Sequence, residues 1–396
     1  MNSFRFFLAV VLAAFSSPLL AQVPAARTEV PNAAQPQLAV ASDGRVWLAY
    51  GQAAAGQTAA APMAHGQSEQ HKTPQRKGGK HKGHQPQQRS GDVFVAQSKD
   101  GGATFAPAVK IASVPQLMLG NRRGPRIAAH GDRLTVTVVA HELIAFTSTD
   151  GGRTWGDPVT VNDVATSARE GLHDLAASPD GQLFVTWLDL RNGKTELWGA
   201  SSKDGGRMWS KNEQVYRSPD KSICECCHPS ALFDDQGNLA VMWRNSIEGT
   251  RDMWMATRAK GAKEFSRAKK IGEGTWKLNA CPMDGGKIVA LGGGKFGAVW
   301  QRAGDVFFAP ANGSEILLGK GKQPLAFTRG GETIVFWQQG NDLVSVRNPG
   351  EGEPMKYAAD ARFAVVTALP ANRGTLLAYE QIPAKDKQPR IVVERL

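Results

Sequence analysis

The side chains best suited to chemistry fall in two short segments of this 396-residue chain, Cys224-Glu225-Cys226-Cys227-His228-Pro229-Ser230 and Asn279-Ala280-Cys281-Pro282-Met283-Asp284-Gly285-Gly286. Between them they hold all 4 cysteines. Thiolate, thioether and imidazole are the ligands that suit a soft ion, above all Cu(I). The candidate metal set is therefore Cys224, Cys226, Cys227, His228, Cys281 and Met283, with copper as the candidate ion. The same cysteines suit two structural disulfides in an oxidising compartment. Neighbouring cysteines in one short loop meet disulfide geometry poorly, however. Cys224-x-x-Cys227-His228 has the form of a c-type haem attachment, but no sixth ligand stands out among His130, His141, His173 and Met283. Zinc would ask for a second CxxC knuckle, which is absent.

A second group is cationic. Arg126, Arg191, Arg244 and Arg302 each sit near the start or the end of an apolar run, and Arg122, Arg123, His173 and Asp174 lie close by in sequence. Guanidinium groups recognise carboxylates in bidentate fashion, so these four are the candidate clamp for an anionic sugar or another carboxylate. The competing role is pairing with Asp189, Asp252 and Glu248 to fix loops.

Repeats must position both groups. Ser98-Lys99-Asp100-Gly101-Gly102-Ala103-Thr104-Phe105 is echoed from Ser148 to Trp155 and again from Ser202 to Trp209. In such a turn, Ser and Asp bond nearby amides, Gly accepts positive φ, and the aromatic plugs the turn against a sheet. Apolar strands ending in an aromatic recur at Trp47 and Tyr50, Trp187, Trp243, Trp300, Trp337 and Tyr379, and Leu134–Ala140 fills the one gap. With 43 Gly, 22 Pro and 10 Trp, the composition also favours many short strands over helices. Seven repeats of about 48 residues are the span of a propeller blade.

These segments resemble the Asp-box, or BNR, repeat of sialidase-like β-propellers. The first copy carries Phe105 for Trp and the third Met208 for Thr. The resemblance implies an all-β propeller, with seven blades favoured here and six as in sialidases proper the alternative. In blades of strands A to D, the Asp boxes are C–D turns on one rim, while the D–A and B–C loops share the other. Both cysteine segments precede A strands of consecutive blades. That second rim is the one to search for function.

The resemblance also implies a catalytic set: three arginines on a carboxylate, a Tyr nucleophile with a Glu, and an Asp acid. The match here is poor. Gly124-Pro125-Arg126-Ile127 stands in the second repeat with its Pro displaced, and only Tyr50, Tyr216, Tyr357 and Tyr379 are available. The sequence therefore favours a binding protein for a metal ion or a small anionic or glycan ligand. An exo-α-sialidase-type hydrolase is the alternative, and a scaffold for protein partners is a third reading; a monomer is expected.

Residues 1–21 read as a signal peptide, with Arg5, an apolar run from Phe6 to Phe15 and Ala21 near the cleavage point. This implies a periplasmic or secreted protein, and residues 22–396 then form a single propeller domain. No other run is long enough to span a membrane. Of the net charge of +11, +5 sits in one stretch: residues 51–91 carry six cations against Glu69 alone, with half of the 8 histidines. Such a stretch, with little to bury, is expected to be a disordered His/Lys-rich insert in the first blade. It has no aromatics for base stacking, which argues against nucleic-acid binding. Its spaced imidazoles leave weak metal binding open. Deleting residues 54–89 is expected to leave the thermal midpoint nearly unchanged in a differential-scanning measurement. A collapse in stability would refute the insert reading.

Overall fold

The computed structural model describes residues 27–53, 90–310, 313–383 and 389–396. The leader and most of the basic insert lie outside them. Apart from one 3-10 turn at Pro370–Asn372, every regular element among the described residues is a strand. Among the described residues no helix is long and apolar enough to cross a membrane.

Seven four-stranded antiparallel sheets stand side by side, six of them taking their strands in chain order from the inside outward. Blade 1 is Ala34–Val40, Val46–Ala53, Gly91–Ser98 and Val109–Val114, strands A to D. Blades 2 to 6 start at Arg126–His130, His173–Ala177, Ser230–Phe233, Lys287–Ala290 and Lys322–Arg329. The expected insert is narrower than read from composition, because residues 51–53 and 91 belong to strands B and C. Blade 7 is composite: Ala361–Ala368, Thr375–Gln381 and Arg390–Arg395 supply strands A to C, and Arg27–Pro31 supplies D. The A strands pack in a closed circle, the seventh against the first. This is a seven-bladed β-propeller.

The core is divided into seven apolar layers, one at each contact between neighbouring blades. Each B strand is therefore covered on both faces, which explains why it reads as a continuous apolar run and not as an alternation. Trp47, Trp187, Trp243, Trp300 and Trp337 are all essentially inaccessible, as is Tyr379. Losing one of these rings would cost about 3–5 kcal/mol.

The Asp boxes hold the C–D turns as their residue types demand. In the first, the Gly102 N–H donates to Ser98 Oγ at 2.8 Å, and the Thr104 N–H and hydroxyl donate to Asp100 Oδ1 and Oδ2 at 3.0 and 2.5 Å. The second repeats this with Ser148, Asp150 and Thr154. Gly102 lies at φ +85°, and a Cβ there would fall 2.5 Å from Leu376 of blade 7, so only glycine lets the turn seat on its neighbour. The Trp47 indole donates to Gly151 O at 3.1 Å and ties blade 1 to the box of blade 2.

In the third box Met208 keeps the amide bond to Asp204 at 3.0 Å but has no hydroxyl, and its side chain is exposed. Met208→Thr should restore the missing bond and stabilise the protein by about 0.5 kcal/mol, read as a higher urea midpoint at unchanged slope.

Candidate metal centre

The D–A connection into blade 4 is pinned at its start. Ile223 N–H donates to Thr195 O of blade 3 at 2.9 Å, and Cys224 N–H to Arg244 O at 3.0 Å. The turn that follows folds three side chains inward. Cys224, Cys226 and Cys227 are all buried, and their sulfurs lie within 4.8 Å of one another. The Cys224 and Cys227 sulfurs are 2.9 Å apart, and those of Cys224 and Cys226 3.8 Å. The thiols of Cys226 and Cys227 hydrogen-bond to Cys224 and, with Arg244 nearby, hold its pKa well below the ordinary thiol value. The cost falls on the other two. Bonding to Cys224 pushes Cys226 upward, and burial does the same to Cys227.

The connection into blade 5 supplies Met283, whose side chain packs on the three cysteines. Its backbone sits at φ +57°, an unusual conformation for methionine. It is held there by its surroundings: Gln323 Nε2 donates to Met283 O at 2.8 Å, and Gln323 N–H to Asp284 Oδ2 at 2.6 Å.

Two members of the expected ligand set are placed differently. His228 is buried, but the Gly285 N–H donates to its Nδ1 at 3.3 Å and its Nε2 lies 3.1 Å from Gly286 O. Both ring nitrogens are thus engaged, the imidazole is neutral with its proton on Nε2, and neither nitrogen faces the sulfurs as a free ligand. Burial, with Arg122 nearby, pushes its pKa well down. The same bonds oppose the haem reading, which needs this imidazole on iron. Cys281 is exposed and lies outside the group of three. Chain order brings its loop beside the cluster but does not turn its side chain inward.

The four candidate clamp arginines each have their own partners. Arg126 donates to the Arg122 and Pro125 carbonyls and lies 3.5 Å from Asp174. Arg191 pairs with Asp189 and Asp163 at 2.9 and 2.8 Å and stacks on Trp198. Arg244 donates to the carbonyls of Asp284, Arg251 and Gln301. Arg302 binds Glu315 in bidentate fashion at 2.8 and 2.5 Å, which pulls that carboxyl down to about 2. Their separate engagements, with no partner shared, are those of loop fasteners.

Arg122, from the blade 1–2 connection, reaches blades that do not adjoin its own in sequence. It reaches Gln323 Oε1 at 2.7 Å in blade 6 and Ala364 O at 2.9 Å in blade 7, and burial lowers its pKa to about 10.

A Tyr–Glu pairing that sequence reading missed lies between blades 6 and 7. Tyr357 and Tyr379 both donate to Glu394, at 2.9 and 3.1 Å, beside Arg27. Glu394 stands diagonally across from Tyr379 on the same face, visible only once the strand register is known. Burial, reinforced by Glu394, raises both phenol pKa values, the opposite of what a nucleophile needs. On the Asp-box rim, a groove of about 270 Å³ between blades 3 and 4 is lined by Lys203, Arg258 and Lys260. Asp180 and Glu213 neutralise two of these cations.

With the arginines engaged and Tyr379 buried, a fluorogenic sialoside should show no turnover above background. Hydrolysis by the purified protein that is lost in Arg244→Ala would overturn this reading.

Neither a family model nor a curated protein matches the sequence. Solved structures do match. A PL25 ulvan lyase bound to -[GlcA(1-4)Rha3S]- superposes with a TM-score of 0.52 at 10% identity, covering 92% of this chain and 95% of that one. The GH93 α-L-arabinofuranosidase of Fusarium graminearum with arabinobiose gives 0.44 at 13%, covering 92% and 93%. The NanB sialidase from Streptococcus pneumoniae gives 0.45 at 10%, covering 78% and 84%. At such identities the likeness is one of fold: this chain is a seven-bladed β-propeller similar to sialidase-like and related carbohydrate-active propellers.

Proposed function

We propose that this protein is an exported binding protein that holds a soft metal ion, Cu(I), at the rim of its propeller. Cys224, Cys226 and Cys227 are the ligands, and the Met283 thioether from the next blade covers them. One observation carries the reading: three buried sulfurs lie within 4.8 Å of one another. Metal–sulfur bonds of about 2.3 Å allow any two ligands of one ion to be up to about 4.6 Å apart, so a small closure brings all three sulfurs onto a single ion. Three thiolates with a thioether nearby suit Cu(I). A structural zinc site would need a fourth strong ligand, and His228 is turned away from that role. Binding Cu(I) would release any protons the three sulfurs hold, leaving all three as thiolates.

Titration of the reduced protein with Cu(I) against a chromophoric chelator, in the absence of oxygen, tests this. About one Cu(I) per chain is expected. Cys224→Ser, Cys226→Ser and Cys227→Ser should each weaken binding by roughly a hundredfold. Exposed Cys281 is not part of the group, so Cys281→Ser should matter far less. Negligible copper binding, with a Cys224–Cys227 disulfide found by mass spectrometry in the native protein, would refute the metal reading and leave a structural crosslink.

A further inference from the structure

The C–D turn of blade 4 occupies an Asp-box position without an Asp-box sequence. The three boxes are closed by a bond back to strand C: Ala106 N–H to Gln97 O, Gly156 N–H to Thr147 O and Ser210 N–H to Ser201 O, at 2.8, 2.9 and 2.8 Å. Blade 4 keeps this closure, with Ser266 N–H donating to Thr257 O at 2.7 Å. Counted back from it, Arg258, Lys260 and Ala262 stand where the third box has Ser202, Asp204 and Gly206.

These replacements change how the turn sits on its neighbour. Gly206 is buried at φ +84°, and a Cβ there would fall 2.7 Å from Thr135 of blade 2, so the third turn lies flat against the preceding blade. Ala262 is exposed, and the fourth turn leaves the groove of about 270 Å³ between itself and blade 3. Two of the groove's cations are already used. Arg258 is held between the rings of Phe184 and Phe265 and donates to both Glu213 oxygens at 2.8 and 2.9 Å. Lys260 pairs with Asp180 at 3.0 Å. Three polar side chains that line the groove have no partner among the described residues: the Gln182 amide, the Ser201 hydroxyl and the Lys203 ammonium. Phe233 and Leu239 supply an apolar wall.

We propose that this groove binds a single sugar ring carrying one anionic substituent, a carboxylate or a sulfate. At about 270 Å³ it lies near the lower limit of small-molecule pockets, roughly 300 Å³, which is room for one ring. Lys203 offers the charge that no fixed acid matches. The amide and the hydroxyl each combine donor and acceptor capacity, as the hydroxyls of a sugar ring require. The ring's C–H face is matched by Phe233. A bare anion would leave the apolar wall and the amide unused, and a neutral sugar would leave the ammonium unused. The site lies on the rim opposite the cysteines and does not depend on metal binding there.

Calorimetric titration of the full-length protein with glucuronate, glucose 6-sulfate, glucose and inorganic sulfate tests this. At least one of the acidic sugars is expected to bind at least about fivefold more tightly than glucose and inorganic sulfate, and the tighter of the two identifies the acid. Lys203→Gln should weaken the acidic sugar by roughly fivefold, the scale of one partly exposed ion pair, and leave glucose unchanged. Lys263→Gln, which removes an exposed charge from the same turn but outside the groove, should change nothing. Both variants alter exposed side chains and should keep the wild-type urea midpoint. Inorganic sulfate binding as tightly as the sulfated sugar would reduce the groove to an anion site and overturn the proposal. So would glucose binding as tightly as glucuronate, equal losses in the two lysine variants, or no binding of any of the four.

Discussion

Everything in this molecule depends on the fact that a single blade cannot cover its own faces. A four-stranded sheet with apolar residues on both sides is stable only between two others, so each blade needs its neighbours. The seven inter-blade layers, with Trp47, Trp187, Trp243, Trp300 and Trp337 on the B strands, satisfy that requirement all the way round. The same constraint builds the functional rim. Because A strands of consecutive blades must pack together, the connections into blades 4 and 5 are forced to lie side by side. The cysteine turn and the Met283 loop meet for that reason, although more than fifty residues separate them in the chain.

The rim is assembled from polar groups satisfied across blades. His228 exchanges hydrogen bonds with Gly285 and Gly286, Arg122 reaches blades 6 and 7, and Gln323 holds the backbone of Met283. Such a network fixes loop positions tightly, because each buried group left unpaired would be expensive. It also explains why the cationic character seen in the sequence does not become an open anion trap. Arg126 and Arg244 are used on backbone carbonyls, and Arg191 and Arg302 on carboxylates.

What was legible in the sequence is what the chain encodes locally. The Ser-x-Asp-Gly-Gly turns are closed by bonds spanning four residues, as at Ser98 and Gly102, so their spacing alone revealed the blades. The aromatic-ended B strands were readable for a similar reason: burial on both faces leaves an apolar run. Long-range partners were not readable. The occupants of the His228 nitrogens lie 57 and 58 residues away, and the outward turn of Cys281 depends on how its loop is tethered. Arg27–Pro31 was missed as the outer strand of blade 7 because it is an edge strand, short and mixed in polarity, paired with the far end of the chain.

That pairing sets an order of assembly. The Arg27 guanidinium meets Glu394 across 367 positions, so the first strand to be synthesised is the last that can dock. Until residues 390–395 are in place, Ile391, Val392 and Val393 are missing from the apolar layers on the two flanks of blade 7. Closing a loop of nearly the whole chain is entropically slow, and contacts of this separation form late in folding. A chain that stops short of its final strand thus loses more than one strand, since Arg27–Pro31 has no edge to pair with and the layers on both flanks of blade 7 stay incomplete. The waiting strand is protected in the meantime by its own composition. It is only five residues long, it alternates charged Arg27 and Glu29 on its exposed side, and it ends in Pro31, which cannot donate to a neighbouring ladder. The segment that locks the propeller is thereby poorly suited to pairing with anything else before its partner arrives.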